Sequence, residues 1–138
     1  MIGPMLSDAS AFGRGRFEMA SFLIHVTTGP EDATKAALAF LVAATALKEG
    51  HSVKLFIAGD GVSLLRPETV ASLEGKGTGK LAAHLQALRD GNARFYLSGM
   101  SAKARGLDES ILAGYQAEFA MPDVLVRLAA EADKVLCY

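Results

Sequence analysis

Short apolar runs that end in small or polar residues recur along this chain, and most are followed by a segment with helical spacing. They occupy residues 21–27, 53–58, 95–98, 116–120 and 134–138. Apolar runs of this length without polar alternation are typical of parallel strands that are buried on both faces. Because the runs alternate with helices, the pattern predicts an α/β fold of three layers, in which a five-stranded parallel sheet lies between helices. We expect the run 21–27 to be the central strand.

The composition excludes several classes of protein. The chain has 138 residues, which is the size of one domain, and 51% of them are hydrophobic. A net charge of -1 argues against nucleic acid or an anionic membrane as a partner. No apolar run reaches the roughly 20 residues of a membrane span. Cys137 is the single cysteine, which excludes an internal disulfide and a cysteine-based metal site. We therefore predict a cytoplasmic protein that needs no metal or cofactor.

The first 18 residues differ in composition from the rest of the chain. They contain several glycines and no regular apolar spacing, and they lack the apolar stretch of a signal peptide. We predict an N-terminal arm over residues 1–18 and one domain over residues 19–138. Met19 directly precedes the first strand, so either Met1 or Met19 could be the true start.

A long helix is expected from Pro30 to Glu49. Proline suits the first helical position, the acidic residues at 31 and 32 favour the helix dipole, and Gly50 is a typical stop. The helix is apolar nearly all round, which means that both of its sides must be covered. We expect the sheet to cover one side and a second subunit to cover the other.

The ends of three predicted strands supply the candidate site. Parallel strands place their carboxyl ends at one edge of the sheet, where α/β proteins bind ligands. The helix that begins after Ser98 would direct backbone N–H groups at this edge, so an anion is expected there. Because Asp60 would repel it, we expect the anion nearer Ser98 and Arg105. The predicted ligand-binding residues are Thr28, Gly29, Asp60, Gly61, Ser98, Gly99, Ser101 and Arg105.

Two other features are interpreted as structural. His25 lies inside the first strand, and we expect a buried, hydrogen-bonded core histidine rather than a ligand. The stretch from Gly75 to Gly79 resembles a phosphate loop, but Leu81 follows Lys80 where that motif needs serine or threonine. We therefore predict a mobile surface loop at residues 75–79.

Several segments together resemble the DsrE/DsrF-like family, which includes sulfur-relay proteins. They are residues 22–32, 39–40, 49–56, 58–62, 98–106 and 132–136. The resemblance implies a five-stranded parallel sheet and assembly into trimers or hexamers. Members that transfer sulfur carry a cysteine at the end of the third strand, and Ser98 stands at that position here. A serine hydroxyl cannot hold a persulfide, so Ser98 cannot carry sulfur.

These considerations favour a non-catalytic or accessory subunit that binds a small anionic or thiol ligand, or a sulfur-relay partner protein. Whether the protein is an enzyme stays open, with a binding protein preferred. One alternative is a persulfide carrier that uses Cys137 as its redox-active residue. The weakest alternative is a serine-dependent hydrolase, because Ser98 lacks the Gly-x-Ser-x-Gly elbow and an assignable histidine and acid.

Overall fold

The computed structural model describes residues 18–138, so the predicted arm lies almost wholly outside the described residues. The seven strands are β1 Ser21–Val26, β2 Ser52–Ile57, β3 Glu74–Gly75, β4 Gly79–Lys80, β5 Arg94–Ser98, β6 Gln116–Ala120 and β7 Lys134–Cys137. The α-helices are α1 Ala33–Lys48, α2 Pro67–Ser72, α3 Leu81–Asp90, α4 Gly99–Ala104 and α5 Pro122–Glu131, and 3₁₀ segments span Pro30–Asp32, Gly59–Leu65 and Glu109–Leu112.

Five of these strands form one parallel sheet in the order β6-β5-β2-β1-β7. The predicted α/β fold with a five-stranded parallel sheet and helices on both faces is therefore confirmed. The prediction that the first strand is central was wrong, because β2 occupies the middle and β1 lies between β2 and the edge strand β7. Both β1 and β2 are still flanked on two sides, which is why both are so apolar.

The two faces of the sheet are covered unequally. The larger core packs one face against α1 and α3, and the fully buried side chains of Phe40, Leu85 and Phe95 belong to it. A smaller core on the other face contains Phe56 and Leu128, under α5. The apolar runs also predict that Leu23, Val26, Phe56 and Leu97 are buried. This is confirmed, because all four are at most 2% exposed.

The second side of α1 is covered largely by the same chain. Helix α3 and the short β3–β4 hairpin pack against it. Ala36, Ala37, Ala39, Phe40 and Ala43 are all 0% exposed. Helix α3 and the hairpin thus cover much of the side that was assigned to a second subunit, while contact of the remaining half-buried residues of α1 with a second subunit stays a prediction.

The hairpin also replaces the predicted loop at residues 75–79. The Lys76 N–H donates to the Thr34 hydroxyl of α1 at 3.0 Å, and the Thr78 hydroxyl donates to the Thr34 carbonyl at 2.9 Å. His84 forms a 2.7 Å hydrogen bond between its Nε2 and the Thr78 carbonyl oxygen. These contacts tie the segment to two helices, so it is an anchored hairpin with an exposed turn, and its mobility stays a prediction.

Candidate functional site

Strands β1, β2 and β5 are neighbours and parallel, so Thr28, Asp60 and Ser98 follow them at the same edge of the sheet. The turns pack tightly there. A Cβ atom on Gly29 would collide with the Asp60 carbonyl, and one on Gly61 would come within 2.8 Å of the Val26 carbonyl oxygen. Glycine at both positions therefore allows the two chain segments to approach each other.

Ser98 is the N-cap of α4. Its Oγ accepts a hydrogen bond from the Ser101 N–H at 3.1 Å, and the residue is only 8% exposed. In turn, the Ser101 hydroxyl accepts a hydrogen bond from the Gly59 N–H at 2.9 Å, which links α4 to the end of β2. The Ser98 hydroxyl thus caps α4 and stabilises its first turn.

The histidines of the chain lie away from Ser98. His25 is on β1, two strands from Ser98, and at about 4.8 Å per strand their backbones are about 10 Å apart or more. His51 accepts a hydrogen bond from the Ala20 N–H at 3.0 Å, and His84 bonds to Thr78. Ser98 therefore has no histidine positioned to remove its proton, and the hydrolase hypothesis gains no support from the geometry.

Arg105 and Asp60 form an ion pair. The guanidinium Nη2 lies 2.7 Å from Asp60 Oδ1, and Nη1 donates to the Ser101 carbonyl at 3.1 Å. The sequence argument expected an anion nearer Ser98 and Arg105 than Asp60, without an ion pair between Asp60 and Arg105, and that expectation stays a prediction. A bound anion at this edge would have to compete with the Asp60 carboxylate for Arg105.

Other donors at this edge are also engaged by the protein. The Gly29 N–H donates to Glu31 Oε2 at 3.0 Å, and the Lys35 N–H donates to Asp32 Oδ1 at 3.1 Å. The two acidic side chains thus occupy the place that an anion would take at the start of α1. Ligand binding at the predicted residues stays a prediction.

Two exposed methionines flank the Ser98 turn, and neither is among the predicted ligand-binding residues. Met100 is 58% exposed and Met121 is 50% exposed. A Cβ atom built on Gly99 would lie 3.9 Å from Met121 Sδ, so the thioether lies directly beside the turn. The sequence signal that could have indicated them is a methionine within two residues of the end of a strand, since Met121 directly follows β6 and Met100 is two residues after the end of β5. Flexible, polarisable side chains of this kind suit contact with a partner surface.

Cys137 lies at the end of β7 and is exposed. In the sheet register its partner on β1 is His25. The Nε2 atom of His25 is buried and has no hydrogen-bond partner among the described residues, so the prediction of a hydrogen-bonded histidine was wrong. Burial lowers the pKa of His25, since desolvation disfavours the charged ring. A neutral His25 cannot stabilise a thiolate as an imidazolium would.

The described residues, 18–138, contain neither a helix that could span a membrane nor a metal-binding cluster. None of their helices has the length and apolar character that crossing a membrane requires. Within the same residues, no three histidine, cysteine, aspartate or glutamate side chains are grouped in a way that could hold a metal ion.

A sequence model of the DsrE/DsrF-like family matches residues 20–138. The chain belongs to the DsrE/DsrF-like family. The matched range includes every predicted ligand-binding residue and Cys137. No protein with a curated description matches this sequence significantly.

Solved structures share the DsrE/DsrF-like fold of this chain. The YchN protein of Escherichia coli is 19% identical, with a TM-score of 0.70, over 87% of this chain and 100% of that one. MTH1491 of Methanobacterium thermoautotrophicum, a protein of unknown function, is 16% identical, with a TM-score of 0.62, over 86% and 99%. BT1422 of Bacteroides thetaiotaomicron is 13% identical, with a TM-score of 0.61, over 86% and 95%. At these identities the likeness concerns the fold alone.

Proposed function

We propose that this protein is an accessory subunit of the sulfur-relay type, which acts by binding a partner or a small sulfur-containing anion and not by carrying sulfur at Ser98. Family membership supports the sulfur-relay class. The observation that carries the accessory role is the state of Ser98, whose hydroxyl is nearly buried and is used as the cap of α4.

The binding surface in this proposal is the sheet edge around Ser98. Hydrogen bonds and an ion pair within the chain, which involve Ser98, Glu31 and Asp60, satisfy several polar groups of this edge. A simple anion would have to compete with these side chains for the same donors. The exposed thioethers of Met100 and Met121 add an apolar, polarisable rim. Such a surface is better suited to a partner chain or a thiol-bearing ligand than to an isolated phosphate or sulfate.

The proposal includes a homo-oligomer, a trimer or a hexamer, in the cytoplasm. Support for assembly comes from half-buried apolar residues on the outer side of α1, namely Leu38, Leu41 and Val42. Support for the location comes from the chemistry of a single exposed thiol, Cys137, which stays reduced in that compartment.

The binding role is tested by titrating ¹⁵N-labelled protein with thiosulfate and with glutathione, and by following backbone amide shifts. We expect shifts in α4 that weaken in Met100→Ala, because the thioether contributes contact area. Lys134→Ala is the control, since Lys134 is exposed at the start of β7, at the opposite edge of the sheet. Shifts confined to other regions, or none with either ligand at about 10 mM, would contradict binding of small ligands at this edge.

Sulfur carriage through Cys137 is the second candidate. The observation that favours it is an exposed thiol at the carboxyl edge of the same sheet. Incubation with inorganic polysulfide followed by intact mass measurement separates the two functions. A gain of about 32 Da, one sulfur atom, that is absent in Cys137→Ser would support carriage. If the wild-type chain stays unmodified, the result contradicts sulfur carriage, and the accessory role is the function that stays supported.

A further inference from the structure

A surface cleft is lined by residues that are not among the predicted ligand-binding residues. It has a volume of about 350 Å³ and lies between α2 and the 3₁₀ segment Glu109–Leu112. Its apolar lining includes Leu65, Val70 and Ile111, and its polar lining includes Arg89. Arg89 is in the last turn of α3, just before β5, so the cleft lies toward the amino ends of the strands. Ser98 is at the carboxyl end of β5.

Among the described residues, Arg89 has no carboxylate partner. Its guanidinium carbon lies 4.9 Å from the centre of the Tyr115 ring, and its Nη2 donates to Gln86 Oε1 at 2.8 Å. The carboxylate of the next residue, Asp90, accepts a hydrogen bond at its Oδ1 from the side-chain amide nitrogen of Gln86. Ion pairs among the described residues involve Arg94, Arg105 and Arg127, and none involves Arg89.

We propose that this cleft binds a small carboxylate that carries a short apolar chain or ring. A guanidinium presents parallel N–H donors that match the two oxygens of a carboxylate, and the cation–π contact with Tyr115 restrains this one. The nearby Ser110 hydroxyl already donates to Asp108 Oδ1 at 2.6 Å, so Arg89 is the charged donor available to a ligand.

The dimensions favour a small molecule as the occupant. The volume falls within the range of about 300–1,000 Å³ of ligand pockets, which are largely apolar with a few polar groups that fix the ligand. A stable protein partner would need a contact area of about 800 Å² on this chain, which the cleft alone does not offer. The apolar lining and the Arg89 guanidinium together therefore favour a small carboxylate with an apolar chain or ring.

Hexanoate and hexan-1-ol are matched probes, since they differ mainly in the charged group. We expect hexanoate to shift the amide resonances of α2 and of residues 110–115, and hexanol to bind at least about ten-fold more weakly. Arg89→Gln should weaken hexanoate binding by about ten-fold or more. Arg94→Gln is the control and should leave it unchanged, because Arg94 also lies over a ring but is paired with Glu118 at 2.9 Å.

A second variant tests the location without touching Arg89. Ala71 is exposed on α2 and lines the cleft, so Ala71→Phe should fill it and abolish hexanoate binding with the fold intact. Equal affinity for the acid and the alcohol, an unchanged affinity in Arg89→Gln, or an unchanged affinity in Ala71→Phe would each overturn the proposal. So would an absence of shifts at about 10 mM hexanoate.

Discussion

Replacing Ser98 by cysteine puts a thiol at the position where the resemblance to the family predicts a sulfur-carrying cysteine, and the structure allows its reactivity to be estimated. A thiolate there would accept the Ser101 N–H that now bonds to the serine oxygen at 3.1 Å. A hydrogen bond to a charged group contributes about 1.5–3 kcal/mol. That energy corresponds to a fall of about one to two pKa units. Because position 98 is only 8% exposed, desolvation opposes this effect, and we expect a net fall of about one unit.

The rate follows from that pKa. An unperturbed thiol with a pKa of about 8.5 is about 3% thiolate at pH 7, and lowering the pKa to about 7.5 raises this to about 24%. A less basic thiolate is also a weaker nucleophile, by about three-fold for one unit. The introduced thiol should therefore react about three times faster than an unperturbed cysteine.

The assay is iodoacetamide labelling across a pH series in the Ser98→Cys, Cys137→Ser double variant, with intact mass measurement. Treatment of the Ser98→Cys single variant with polysulfide should add about 32 Da to residue 98 before Cys137. The Ser98→Ala, Cys137→Ser variant is the control without a thiol. A labelling midpoint at or above about 8.5, or modification of Cys137 alone, would refute the argument that the start of α4 stabilises a thiolate.

The remaining predictions concern assembly, pH and packing. Light scattering at micromolar concentration should give a trimeric or hexameric mass, and a monomeric mass would count against the oligomer. Because burial lowers the pKa of His25, the unfolded chain takes up a proton near pH 6.5 before the folded one does, so stability should fall as the pH drops from about 6.5 through the lowered pKa. Urea unfolding at about pH 5 and pH 7.5 should show a smaller pH dependence in His25→Leu, and an equal dependence would argue against this role. Gly61→Ala should destabilise the fold by about 1–3 kcal/mol, because the added Cβ would come within 2.8 Å of the Val26 carbonyl oxygen. Gly99→Ala, whose Cβ meets nothing closer than 3.8 Å, is the matched variant, and similar urea midpoints for both would contradict the packing argument.

Much of the fold follows from local sequence patterns. The apolar run over residues 21–27 corresponds to β1, and the helix signals at Pro30 and Gly50 bracket α1 with its preceding 3₁₀ turn. These signals are local because backbone geometry, helix capping and burial periodicity depend on residues close in sequence. Strand order depends on contacts between distant parts of the chain. The sequences of β1 and β2 are similarly apolar, although only β2 is in the middle of the sheet.

The β3–β4 hairpin shows why a local pattern can mislead. Its glycines indicate a loop, yet Lys76 and Thr78 are held by Thr34, which is 42 and 44 residues away in the chain. The same kind of distant contact covers the second side of α1, where α3 takes the place assigned to another subunit. Neither contact has a signature within a short window of sequence.

The sequence by itself determined which residues reach the edge of the sheet, since parallel strands carry Thr28, Asp60 and Ser98 to the same side. Only the tertiary structure decided what those residues do there. Asp60 and Arg105 are 45 positions apart, and they neutralise each other because folding brings their charged atoms to 2.7 Å. Coulomb energies and hydrogen bonds depend on distances between side-chain atoms, and those distances are fixed when the chain packs.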